Sequence, residues 1–169
     1  VEAVPKTFLQ FANRVNSYFL EEISEIGRRK GHANFLAYTH EWHDQWVKDW
    51  LEEFFCDLFA TFTVGPAYGW SHLHLHAKNG GHAFAVPKKC RLTHPADAPR
   101  MSLILKGLEA VGFKSEASQI EVRWKQLLSV SKNVSDEDYR WCYPESLLSE
   151  MVPAVLLATE QVGCKIVRP

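Results

Sequence analysis

Apolar side chains recur along this chain in steps of three and four, the spacing that lays one stripe along a helix. Phe8, Phe11, Val15, Tyr18, Phe19, Ile23 and Ile26 predict a first helix over Lys6 to Lys30. Arg28, Arg29 and Lys30 suit its negative C-terminal end, and Gly31 is a stop. A short segment, Ala33 to His40, leads into a main helix from Trp46 to Val64, ended by Gly65-Pro66. A third helix runs from Ala67 to Ala77 and breaks at Asn79-Gly80-Gly81. Residues 79–96 form the longest irregular stretch. Asp97 is read as the cap of a helix reaching Leu108 or Val111, with Pro99 in its first turn and Gly112 as its stop. Ile120, Trp124, Leu127 and Leu128 place another helix over Glu116 to Val130. Ser135-Asp136-Glu137-Asp138 reads as a capping turn. Leu147, Leu148, Met151, Val155 and Leu156 predict a last helix over Glu145 to Val162, bent at Pro153. Nowhere do β-branched residues alternate for long. The expectation is an all-α fold, a single-domain bundle of about six helices spanning 1–169. The chain opens on Val and closes on Pro, so a piece of a longer protein is kept open.

The main helix is nearly all apolar from Phe54 to Phe62, which places it in the core. Asp57 interrupts that run and falls on the wheel between Trp50 and Glu53. Glu53 and Asp57 are four apart and share a face, where two like charges repel and burial adds a desolvation cost. They call for a cation, a metal or hydrogen-bond donors. One reading is a structural network held by an Arg such as Arg100. The other is a metal or acid–base site.

Glu53-Phe54-Phe55-Cys56-Asp57-Leu58-Phe59-Ala60, followed by Gly65-Pro66-Ala67-Tyr68, resembles the E-x-x-x-D helix of the gluzincin-type zinc metallopeptidases. The likeness extends to Thr93-His94-Pro95-Ala96-Asp97-Ala98-Pro99-Arg100 and covers about fifty residues. The resemblance implies that Glu53 is a zinc ligand and that Asp57 orients a ligating histidine from behind. It departs from the family in lacking H-E-x-x-H, which supplies two ligands and the general base. The nearest counterpart is His40-Glu41-Trp42-His43-Asp44, with Asp44 where the second histidine belongs. It makes Glu41 the candidate catalytic base and His40 a candidate ligand.

His72-Leu73-His74-Leu75-His76 is the other candidate metal feature. On a helix His72 and His76 share a face; on a strand all three histidines would. His43-Asp44 also has the form of the pair used by HD-type phosphohydrolases, without the further His and Asp that class needs. His94, before Pro95, is read as a loop residue, with contact to the acidic helix as the alternative.

Trp42, Trp46, Trp50, Tyr68 and Trp70 form an aromatic stripe, the mark of a core or of a subunit interface such as a homodimer's. Charge adds an exclusion. Lys and Arg number 19 against 20 Asp and Glu, for a net charge of −1. With acidic residues flanking the aromatics, no nucleic-acid partner is expected. No apolar run is long enough for a membrane partner, and the N-terminus lacks the form of a signal peptide. Cys56, Cys90, Cys142 and Cys164 form no CxxC pair and read as reduced thiols of a cytoplasmic protein. The function expected is a non-catalytic domain binding an unknown protein or small ligand, a degenerate metallopeptidase relative, with no cofactor. The alternative is an active zinc hydrolase using Glu53 with histidine ligands.

Overall fold

A computed structural model describes residues 3–30, 33–88 and 92–169. Gly31, His32 and Cys90 lie outside the described residues. Among these residues the chain forms six long helices and no strand. Helix α1 spans 3–30, α2 spans 33–64, α3 Pro66–Asn79, α4 Asp97–Ala110, α5 Lys114–Ser131 and α6 Glu145–Gln161. A single turn, Tyr139–Cys142, precedes α6. The all-α expectation holds.

The main helix starts thirteen residues earlier than its sequence pattern placed it. The segment Ala33–Gln45 is helical and runs without a break through Trp46–Trp50 into Leu51–Val64. Phe35, Thr39, Trp42, Trp46 and Trp50 form its buried stripe. The polar residues between them disguise a helix with only one apolar line. Both α1 and α2 contain a π-helical turn, at Tyr18–Ile23 and Trp46–Trp50. In α1 the Ser24 hydroxyl donates to the Phe19 carbonyl at 2.9 Å, which supports the wider turn.

The lower half of α2 is the hub, packing on α3, α4 and α6. Gly107 lets α4 approach closely: a Cβ there would lie 3.1 Å from both Leu58 Cδ2 and Thr61 Cγ2. The buried apolar side chains join in one cluster. Trp42, Trp46 and Trp50 are each 0% exposed within it. Of the two readings of the aromatic stripe, core is the one that holds for these three rings. Cys56, Cys142 and Cys164 are free thiols.

Gly65 links α2 to α3 with φ 74° and ψ −150°, a conformation reserved almost entirely for glycine. Its backbone N–H closes α2 on the Thr61 carbonyl at 2.9 Å, and Pro66 opens α3. Gly65→Ala is expected to cost about 1–3 kcal/mol, read as a lower urea midpoint with an unchanged slope.

Candidate functional site

The tight reversal at Gly65 folds α3 back along α2 and sets Tyr68 opposite Asp57. Asp57 is 1% exposed, yet fully satisfied. Arg100, from the first turn of α4, grips it with both ends of one guanidinium edge. Nε donates to Oδ2 and Nη2 to Oδ1, each at 2.8 Å. The Tyr68 hydroxyl donates to Oδ1 at 2.6 Å. Burial alone would lower the Arg100 pKa, but the hydrogen bonds and charge of Asp57 more than offset it and raise it. Burial, then the charge of Asp57, pushes the Tyr68 hydroxyl up, so it remains a donor. The cation sought by the acidic pair is thus Arg100.

Glu53, one turn earlier, stands at the edge of this network with its side chain 31% exposed. Arg100 Nη2 lies 3.6 Å from Oε2, and His94 Nδ1 lies 3.1 Å from Oε1. His94 is therefore more than a loop residue: it reaches the acidic helix.

Asp97 corrects its sequence reading. It is the first residue of α4, with Ala96 at the cap position and no side-chain cap bond. Its carboxylate accepts instead from His76, Nδ1 to Oδ2 at 2.6 Å. His72 Nε2 lies 3.7 Å from Oδ1 and 3.4 Å from the Asp97 carbonyl. His72 and His76 do share a helical face, and it points inward; their side chains are 4% and 2% exposed. His74 faces solvent. A groove of about 460 Å³ opens beside these groups, lined by Glu53, Leu75, His76, Asn79, His94, Pro95, Asp97 and Arg100.

The remaining candidates lie elsewhere. His40 and Glu41 are on the same continuous helix as Glu53, about 18 Å away at 1.5 Å per residue. Asp44 pairs with Lys48 at 2.5 Å, and His43 Nε2 meets Asn16 Oδ1 at 2.7 Å. One straight helix cannot fold His40, Glu41 and Glu53 around one ion. Among the described residues no group of three or more His, Cys, Asp or Glu is arranged to share a metal. His40 and Glu41, the counterpart of H-E-x-x-H, are thus not brought to Glu53.

Burial, then the positive charge of Arg100, lowers the His72 pKa from 6.5. Folding therefore favours the neutral ring. Its contribution to stability is complete above about pH 6.5 and is lost as pH falls through that value toward the lowered folded one. Melting temperatures between pH 7.5 and 5 are expected to fall more steeply in the parent than in His72→Gln. Equal slopes would refute this.

Sequence reasoning found Asp57, Glu53 and Arg100 but gave Tyr68 and Asp97 other roles. For Tyr68 the available signal was its place one turn past a helix reversal, which turns it toward the preceding helix. Among the described residues no helix is long and apolar enough to cross a membrane. Comparisons with protein-family models, with curated proteins and with solved structures found no match.

Proposed function

We propose that this chain is a non-catalytic helical domain that binds a small ligand or a partner's side chain in the groove beside Glu53, His76 and Asp97. We further propose that it is a degenerate relative of the gluzincin-type peptidases. The carrying observation is the bidentate Arg100–Asp57 bond, which satisfies Asp57 from within. A carboxylate reserved for orienting a zinc-ligating histidine has no need of an internal guanidinium. The groove alongside stays open and sets a few polar groups beside an apolar lining, as small-ligand sites do. Three free thiols accord with a reducing, cytoplasmic setting.

Untagged protein purified without added metal tests this reading. The expected result is substoichiometric zinc and no chelator-sensitive cleavage of casein. A second reading, a zinc hydrolase using Glu53 and histidines, has one observation in its favour: His94 and His76 line the same groove as Glu53. Stoichiometric zinc on those residues would establish it and displace the first.

A further inference from the structure

Two carboxylates, Glu53 and Asp97, line the groove. The Asp97 carboxylate accepts from His76 Nδ1, so in the neutral ring Nε2 is the nitrogen that carries the lone pair. Nε2 has no hydrogen-bond partner among the described residues. Every fully buried side-chain nitrogen or oxygen has one. Nε2 is therefore not completely sealed although the His76 side chain is 2% exposed, and His76 lines the groove. The Trp124 ring, 4.9 Å away and edge-on, helps fix the imidazole.

The surrounding charge has the same sense. Glu53 and Asp97 both face the groove, 31% and 35% exposed. The one fixed cation there, Arg100, has Nε and Nη2 engaged by Asp57. Among the described residues, His72, His76 and His94 are the other basic groups in contact with these acids. The last turn of α3, carrying the negative end of the helix dipole, supplies a wall through His76 and Asn79. The positive end of α4 is already answered by Asp97 in its first turn. Leu75, 56% exposed, and Pro95 add an apolar flank.

We propose that this groove binds an ammonium or guanidinium cation on a short aliphatic stem, held by His76 Nε2, Asp97 and Glu53, with the stem against Leu75 and Pro95. The assignment rests on the binding-domain reading and names its ligand class. It favours an organic cation over a metal because, among the described residues, no three acceptors are arranged around one ion.

The test is an amide-shift titration of the ¹⁵N-labelled chain with three probes: agmatine, an acetylated and amidated Gly-Arg-Gly peptide, and butyrate. Agmatine or the peptide is expected to shift the amides of 75–80 and 94–100 saturably and to move the His76 Nε2 resonance. The stronger of the two identifies the source, a free amine or a protein side chain. Glu53→Gln and Asp97→Asn should each weaken binding about tenfold, and added salt should weaken it too. Glu53 is at the surface edge, so Glu53→Gln tests the site even where Asp97→Asn loosens the fold. Butyrate binding in the groove would overturn the cation assignment and leave the binding reading standing. If neither charge type binds there, both fall.

Discussion

Asp57→Ala is expected to lose about 3–5 kcal/mol of stability, the range for breaking a buried ion pair from one side. In a domain of this size that moves the melting temperature down by roughly 6–20 °C. The reason is the state of Arg100 afterwards. Its side chain is 18% exposed, and removal of Asp57 takes both of its short hydrogen bonds and leaves Tyr68 without an acceptor. The loss should therefore exceed that of Arg100→Met combined with Asp57→Leu, in which both charges leave together and apolar volume fills the space. A double-mutant cycle reads the coupling directly. A single Asp57→Ala variant that melts with the parent would refute the account.

Trp46→Ala should be comparably severe, about 3–5 kcal/mol from the cavity alone. Trp46 is 0% exposed, with Phe54 at 4.9 Å and Phe19 and Trp50 at 6.4 Å between ring centres. Its indole N–H donates to the Cys142 carbonyl at 2.8 Å and so ties α2 to the turn before α6. Trp46→Phe keeps most of the volume and orphans that carbonyl, for an expected cost of about 1–3 kcal/mol. The two variants separate packing from the hydrogen bond in one denaturation series.

Helices with a wide apolar stripe, such as α1 and α6, are legible from spacing alone, because hydrophobic burial depends on period and not on partners. The Ala33–Gln45 stretch is less so: its stripe is one residue wide, and Thr39 and Gln45 are buried members of it. Gln45 is inside because its side-chain oxygen accepts from the Leu92 backbone at 3.0 Å, a long-range contact no local pattern carries. At the site, the need for a cation near Asp57 is readable, since a charge in an apolar run must be compensated. Arg100 follows from its unfavourable place at a helix N-terminus. The role of Asp97 is not readable, because Asp at the start of a helix is consistent with ordinary capping. Only the fold of α3 beneath it brings His72 and His76 into range.

The interior position of the indoles makes light emission a selective report on this molecule. Trp42, Trp46 and Trp50 are sealed from water and Trp124 is 6% exposed, whereas Trp70 and Trp141 are half-buried. Iodide should quench the last two and leave a blue-shifted residue of fluorescence from the first four. Unfolding should move that protected band to the red, so core integrity can be followed in any variant without a label. Trp124 adds a local reading, since the His76 ring lies against it with 4.9 Å between ring centres: replacing that ring should change the brightness of this one indole.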